Sequence, residues 1–251
     1  MLFGTRYPQA LGQTKAAGCC HPGNSCASLL RTMDFNDALK LFQRTLATER
    51  SRPDVHAGML ELARPDTINE ASSQVVNALT RGERVWMTSD LHLGHTNVIE
   101  YSKRPFFDVM QMNEHLITQI QKVKDDEWLL ILGDLAMGDH DEAMEWIRRL
   151  PGRKVLVLGN HDLKRNGKCL YARERAPHGR QPLFEAVVPF LFWRDMLGRT
   201  VFASHYPATV DHPFRRLVNY HGHLHRDVLP PTEVTHFVNV GWDVTQGLLC
   251  L

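Results

Sequence analysis

The sequence predicts an α/β domain with a largely parallel sheet, preceded by a small helical segment. Five short apolar runs recur between residues 85 and 225, and each one delivers an aspartate, an asparagine or a histidine. Helical patterns separate these runs in the middle of the chain, which is typical of βα units, while strand patterns cluster late. Ligands gather at the carboxyl ends of strands in such sheets. We therefore expect the polar residues to converge on one site.

Composition sets broad limits on the class of protein. A chain of 251 residues can hold one large α/β domain and an appendage. Its net charge of +1 gives no strong field toward nucleic acid or an anionic membrane. No apolar span approaches the roughly 20 residues of a membrane helix, so we expect a cytoplasmic protein without a membrane partner. The five cysteines, an odd number, favour free thiols over a disulfide framework.

Residues 1–82 are predicted to form a tail and a helical appendage, and residues 83–251 the main domain. The tail contains CCHPGNSC at residues 19–26. Its spacing matches no zinc template, so a mobile tail is favoured over a metal site. Apolar residues at intervals of three or four predict three helices in the appendage, over 34–50, 56–62 and 69–79.

The main domain is predicted to alternate between strands and helices. Strands are expected over 85–89, 128–134, 154–160, 184–196, 199–206, 219–221 and 236–240, and helices over 108–122 and 141–150. A basic loop covers residues 163–182 and carries Lys164, Arg165, Lys168, Arg173, Arg175 and Arg180. A charge run of this kind is usually a solvated surface, and the alternative is that part of it binds a substrate phosphate.

The polar residues at the strand ends have the chemistry of metal ligands. Seven candidates are Asp90, His92, Asp134, Asn160, His205, His223 and His225. Mixed oxygen and nitrogen ligands without sulfur suit Mn²⁺, Fe²⁺ or Zn²⁺. Seven are too many for one open site but fit two metals that share a bridging carboxylate. Taken singly, each histidine is more often a core or surface residue, and each aspartate can cap the next helix. The joint pattern favours the metal site, because buried strand ends would not collect such groups without a cation.

Five short motifs in this order, SDLH, GDLA, GNHD, SH and GHLH, resemble the signature of the calcineurin-like metallophosphoesterases. The resemblance covers residue 85 to the C-terminus and implies a four-layer αββα sandwich of two mixed sheets. It further implies two ligand sets bridged by Asp134: Asp90, His92 and His225 for one metal, and Asn160, His205 and His223 for the other. His161 then corresponds to the unligated catalytic histidine beside the scissile phosphate.

The flank SDLHLGHTNVIEYSKRPF resembles a prokaryotic and phage branch of phosphoesterases. This resemblance implies that His95, Asn97 and Arg104 lie near the pocket mouth. The protein phosphatase branch has an aspartate where this chain has Met137, which argues against a phosphoprotein phosphatase. Asp139 or Asp162 would then orient His161, and the spacing does not choose between them.

The resulting functional prediction is a phosphoesterase with two divalent metal ions, Mn²⁺ favoured, in which metal-bound hydroxide attacks a phosphomonoester or phosphodiester. Near-neutral charge and the lack of a basic and aromatic stripe favour a small nucleotide-type substrate over a polymer. A nuclease of the same superfamily is the nearest alternative. A non-catalytic metal-binding scaffold is the alternative from another class, and His161 beside a full ligand set speaks against it.

Overall fold

The computed structural model describes residues 32–49, 52–172, 174 and 182–251. Residues 32–251 form one compact unit. The cysteine-rich motif at residues 19–26 lies outside the described residues, as do three arginines of the basic loop. The described strands and helices form two mixed sheets flanked by helices, which confirms the predicted α/β fold and its four-layer class.

The first sheet contains the strands that lead to most of the predicted ligands. Its strands are β1 (Val85–Thr88), β2 (Trp128–Ile131), β3 (Arg153–Val157), β4 (Ala186–Val188) and β9 (Leu249–Cys250). Their order is β4-β3-β2-β1-β9, with β9 antiparallel to β1 and the other pairs parallel. All four residues of β2 are buried, as expected for an apolar strand covered on both faces. The carboxyl ends of β1, β2 and β3 therefore lie at one edge.

The second sheet supplies the histidines from the late part of the chain. Its strands are β5 (Phe190–Arg194), β6 (Thr200–Ser204), β7 (Leu217–His221) and β8 (Thr235–Asn239). They lie in that order, with β5 antiparallel to β6 and the remaining pairs parallel. The single strand predicted over 184–196 is wrong, because β4 and β5 belong to different sheets. The chain changes sheet at Pro189, which has no N–H to continue a central ladder.

Helices cover the sheets. They are α1 (Phe35–Thr48), α2 (Pro53–Glu61), α3 (Pro65–Thr80), α4 (Asn97–Tyr101), α5 (Val109–Ile120), α6 (His140–Ile147) and α7 (Trp242–Thr245). Two short ones, α4 and α7, were not predicted from the sequence. Asp34 caps α1 by accepting a hydrogen bond from the Asp37 N–H at 2.9 Å. The third helix, predicted over 69–79, starts earlier and ends at Thr80, and Gly82 follows its C-cap with a positive φ of 73°.

The first three helices pack onto the rest of the compact unit. The buried ring of Phe42 in α1 lies 5.1 Å from the ring of Phe190 in β5, and α3 contacts β5 through Ser72 Oγ, which accepts from the Phe192 N–H at 3.3 Å. Whether residues 83–251 fold without these helices stays a prediction. Within the described residues, no helix is long and apolar enough to cross a membrane. The cytoplasmic location remains a prediction from the sequence.

Candidate metal centre

The structure brings the seven predicted ligands together at the carboxyl ends of the strands. Asp90 and His92 follow β1, Asp134 follows β2, Asn160 follows β3, His205 follows β6, and His223 and His225 follow β7. Except for the two GHLH histidines, each is at most 9% exposed. The residues form two groups, because the rings of His92 and His225 are 5.1 Å apart and those of His205 and His223 are also 5.1 Å apart.

The backbone is held in an unusual conformation at these positions. Of the nine non-glycine residues with positive φ in the described part of the chain, five are predicted ligands: Asp90, His92, Asp134, His223 and His225. Left-handed φ costs energy for a residue with a Cβ and persists only where the surrounding structure enforces it. Here the strand ends turn sharply so that successive side chains point into the same space.

Two glycines let the loops approach the carboxylates. A Cβ on Gly222 would overlap the carboxylate of Asp90, and a Cβ on Gly159 would overlap that of Asp134. The glycines of the GHLH and GNHD motifs are therefore required by close approach. The Asp90 carboxylate also accepts a hydrogen bond from the His223 N–H at 3.0 Å, which joins the end of β1 to the loop after β7.

His92 gives the clearest sign that a cation fits here. Its side chain is 1% exposed, and neither ring nitrogen has a hydrogen-bond partner among the described residues. Burial lowers the pKa of His92 well below its usual value, so the ring is the neutral form that ligates metals. Coordinating atoms of His92, Asp90 and His225 all lie within 4.8 Å of one another. A divalent cation would give this buried imidazole the partner that it lacks.

The second group is centred on Asp134 and His205. Oδ2 of Asp134 lies 3.4 Å from Nε2 of His205 and 3.6 Å from Nε2 of His92, so this carboxylate stands between the two groups. Asp90, Asp134 and His205 also bring one ligand atom each within 4.8 Å of one another. Asn160 Oδ1 is 3.3 Å from His205 Nε2. Asp90 belongs to both groups of close ligand atoms, so it lies beside both.

Hydrogen bonds fix the orientation of His205 and the charge of its neighbour. Nδ1 of His205 donates to the Leu132 carbonyl at 2.9 Å, which leaves Nε2 directed at the site. Burial opposes charge on both His205 and Asp134. Their mutual attraction nevertheless holds the pKa of Asp134 well below its usual range and raises the pKa of His205 to about 10. Binding of a cation at Nε2 would therefore release a proton.

Three residues that sequence reasoning missed orient the GHLH histidines. Nδ1 of His225 lies 2.8 Å from Oδ2 of Asp243 and 3.0 Å from Oγ of Ser102. Nε2 of His223 lies 3.4 Å from Oε2 of Glu49. Carboxylates on the far nitrogen of a ligating histidine set its tautomer and raise its basicity. Asp243 lies 18 residues beyond His225, and its only sequence signal was an aspartate just after a predicted strand.

Asp162, the last residue of GNHD, supports the site from beneath. Its buried carboxylate accepts hydrogen bonds from the main-chain N–H groups of Asp134 at 2.9 Å, Leu135 at 3.0 Å and Gly159 at 2.8 Å. Burial and the neighbouring Asp134 raise the pKa of Asp162 to about 7. These bonds lock the turns after β2 and β3, so Asp162 does not orient the ring of His161. Asp139 does not either, because it caps α6.

His161 lies beside the two groups and is partly open to solvent. Its main-chain N–H donates to Asp134 Oδ1 at 2.9 Å, and its Nε2 is 4.0 Å from Asp134 Oδ2. Its ring centroid is 5.4 Å from that of His92. Its side chain is 20% exposed, so a ligand can reach it. The position of His161 beside a bound substrate stays a prediction.

The three predicted substrate contacts occupy different environments. The ring of His95 lies 5.3 Å from that of His92, at the mouth of the site, and Tyr101 Oη contacts its Nδ1 at 3.3 Å. Asn97 is exposed on the first turn of α4. Arg104 does not lie at the mouth, because its fully buried guanidinium is paired with Asp243 at 2.9 Å and donates to the Asp90 carbonyl. Arg104 thus lies beneath the site and shapes the loop after β1.

Comparison with known proteins gives the family. The family described as calcineurin-like phosphoesterase matches residues 83–242, which include all seven predicted ligands. The chain belongs to this family. Residues 32–82, including Glu49, lie outside the matched segment.

Relatives from an archaeon and two phages resemble parts of the chain. An uncharacterized protein of Methanocaldococcus jannaschii is 37% identical over 82 residues, which is 32% of this chain and 47% of that protein. The Gene 66 protein of Mycobacterium phage D29 is 30% identical over 190 residues, which covers 66% of this chain and 90% of the phage protein. The Gene 66 protein of Mycobacterium phage L5 is 38% identical over 82 residues, 31% of this chain and 39% of that protein. The phage relatives confirm the predicted branch, although the matches span less than half of the archaeal and L5 proteins.

A solved structure of a protein of unknown function from Aquifex aeolicus is also similar, with a TM-score of 0.45 and 21% identity over 67% of this chain and 95% of that one.

Proposed function

We propose that this protein is a dinuclear metal-dependent phosphoesterase that hydrolyses a small phosphorylated substrate. The observation that carries the proposal is the buried His92 ring, which has no hydrogen-bond partner among the described residues and lies between Asp134 and His225. Buried ring nitrogens normally have a hydrogen-bond partner, and the described neighbours give His92 none. Membership of the calcineurin-like phosphoesterase family supports hydrolase chemistry at the same residues.

The ligand sets follow from the two groups of side chains. Asp90, His92 and His225 would hold one ion, and Asn160, His205 and His223 the other, with Asp134 between them. When bound, two such ions polarise phosphoryl oxygens and lower the pKa of a coordinated water. Mn²⁺ is the favoured ion, because carboxylate, amide and imidazole ligands without thiolate suit it.

The protein's own contribution is to orient these groups and to assist the leaving oxygen. The Asp162 carboxylate accepts hydrogen bonds from the Asp134 N–H after β2 and the Gly159 N–H after β3, which holds the two turns in register. Nε2 of His161 lies 4.0 Å from Oδ2 of Asp134, and His161 belongs to neither group of close ligand atoms. We assign His161 to donate a proton or a hydrogen bond to the departing oxygen of the ester.

The experiment uses the full-length protein, stripped with chelator and reloaded with Mn²⁺, Fe²⁺ or Zn²⁺. We expect two ions per chain by elemental analysis and hydrolysis of a nitrophenyl monoester or diester, with Mn²⁺ most active. A screen of nucleotides, cyclic nucleotides, sugar phosphates and oligonucleotides then ranks substrates by kcat/KM. A fully loaded protein that hydrolyses none of them would overturn the proposal in favour of a binding protein.

A further inference from the structure

A cavity of about 250 Å³ is lined by His161 and by residues that follow β2 and β3. Its wall includes three cationic side chains, Arg52, Lys164 and Arg165, and the imidazole of His140. The volume is far above the roughly 10 to 15 Å³ that one water needs. It is therefore large enough for a phosphate group and its water.

The charge of this cavity is unbalanced within the described part of the chain. No aspartate or glutamate is among its described lining residues. Neither Arg52, Lys164 nor Arg165 forms an ion pair with a described carboxylate, whereas His140 is paired with Glu174 at 3.2 Å. Arg52, Lys164 and Arg165 are exposed and make the wall of the cavity positively charged, which favours an anion between them.

The cavity adjoins the metal centre through two contacts. His161 lines the cavity and also stands 4.0 Å from the Asp134 carboxylate. Arg52 Nη1 donates to the carbonyl of Asn160 at 3.5 Å, which holds the guanidinium next to that turn. A group bound in the cavity could therefore belong to the same small molecule as a phosphate bound at the metal centre. Arg52 lies between α1 and α2, outside the segment that matches the family.

We propose that this cavity binds a second phosphate of the substrate, and that the substrate is a small molecule with two phosphate groups on one nucleoside or sugar. The proposal rests on the proposed function, since the first phosphate is the one hydrolysed at the metals. Arg52 supplies a planar guanidinium that suits phosphate oxygens, and Lys164 and Arg165 add charge from the loop after β3. The basic loop thus takes the phosphate-binding role that was the alternative in the sequence analysis.

A matched pair of esters tests the proposal on the full-length, metal-loaded protein. The pair is thymidine 5′-(4-nitrophenyl phosphate) with and without a 3′-phosphate, so the leaving group is the same and only the second anion differs. We expect the 3′-phosphate to raise kcat/KM about tenfold or more, the size of one charge-assisted hydrogen bond. Arg52→Gln and Lys164→Gln should each reduce this ratio toward one.

Arg84→Gln is the control, because Arg84 is also exposed but lies at the opposite end of β1, paired with Glu127 at 3.5 Å. It removes the same charge and should keep the wild-type ratio. A ratio near one in the wild type, or an equal fall in all three variants, would overturn the second-phosphate site. A strong preference for an oligonucleotide over both esters would overturn the assignment to a small molecule.

Binding to the metal-free protein separates this proposal from the proposed function. Calorimetric titration with thymidine 3′,5′-bisphosphate and with thymidine 5′-phosphate should give tighter binding of the bisphosphate, and Arg52→Gln should remove the difference. If the metal-free protein prefers the bisphosphate but the metal-loaded protein hydrolyses neither ester, the second-phosphate site stands and the proposed function is overturned. If the metal-loaded protein hydrolyses both esters equally and the metal-free protein binds both nucleotides equally, the proposed function stands and the second-phosphate site is overturned.

Discussion

Oε2 of Glu49 lies 3.4 Å from Nε2 of His223 and joins the segment after α1 to the loop after β7. The contact with His223 is the largest influence on the Glu49 carboxyl and lowers its pKa, so the group is ionised. With Nε2 directed at Glu49, Nδ1 of His223 is the nitrogen left for the metal site. Asp243 stands in the same relation to His225. Each histidine of GHLH is therefore backed by a carboxylate: Asp243 lies just past the end of the matched segment, and Glu49 lies in the helical segment before it.

Glu49→Gln is expected to weaken metal binding about tenfold, within the range seen when the outer partner of a ligating histidine is removed. The amide keeps the shape of the side chain but loses the charge that favours one tautomer. Metal affinity is measured by competition with a coloured chelator. Glu61→Gln, at an exposed position at the end of α2, is the matched control and should bind metal as the wild type does. Equal affinities in both variants would reduce Glu49 to a packing role.

Asp134→Asn should abolish hydrolysis and lower the metal content below two ions per chain. The amide oxygen can still accept the hydrogen bond that the His161 N–H makes to Oδ1 at 2.9 Å, so the loop keeps its shape. The variant therefore tests the loss of the negative charge alone. Elemental analysis and turnover are measured on the same preparations. Asp139→Asn is the control, because asparagine caps a helix as well as aspartate does. Two ions and near-normal turnover in Asp134→Asn would contradict the bridging role.

The sequence signal for the seven candidate ligands is local. Each ligand follows an apolar run directly, and strand ends in one sheet meet at one edge. Pro189 shows the limit of that reading. The apolar residues on both sides of it looked like one strand, although the missing N–H marks the place where the chain leaves one sheet for the other.

The misplaced and missed residues depend on contacts across long stretches of chain. An arginine at position 104 is expected to be exposed from the sequence alone. In the fold it is buried, because it pairs with Asp243, which is 139 positions away. Glu49 reads as an ordinary charged residue at a helix end, and only the fold brings it to His223. The periodicity of apolar residues predicts the local helix or strand, but it does not indicate which distant charged residue will contact a given side chain.

The predicted boundary at residue 82 can be tested by removing α1, α2 and α3. Every predicted ligand remains in a chain that begins there, but Phe190 loses its contact with Phe42 and His223 loses Glu49. We expect a lower melting temperature and weaker metal binding. A chain that melts as the wild type does would make the helices a separate appendage. Loss of the cooperative melt would make the boundary wrong.

A point substitution isolates the packing part of that experiment. Phe42 is fully buried, so Phe42→Ala should cost about 3 to 5 kcal/mol of unfolding free energy. Gln43→Ala, at the next and exposed position of α1, should cost less than about 0.5 kcal/mol. Denaturant unfolding of both variants gives the comparison. A small effect at Phe42 would mean that the helices contribute little to the core.

His161→Gln should separate proton donation from metal binding. An alkoxide is a poor leaving group and needs a proton in the transition state, where general acid help is worth roughly 10² to 10⁴ in rate. A nitrophenolate departs with little help. We therefore expect the variant to lose most of its kcat/KM on an alkyl or ribose ester and much less on a nitrophenyl ester of the same phosphate. Both ions should remain, because the His161 ring does not complete either group of close ligand atoms.

The comparison is made at matched metal occupancy, with His236→Gln as the control at an exposed position on β8. Equal losses on both esters with the metals retained would assign His161 to stabilising charge on the phosphate. Loss of one ion would instead make it a ligand. Only a loss that grows with the basicity of the leaving group identifies proton donation, because charge on the phosphate is nearly the same in both esters while the demand for a proton differs.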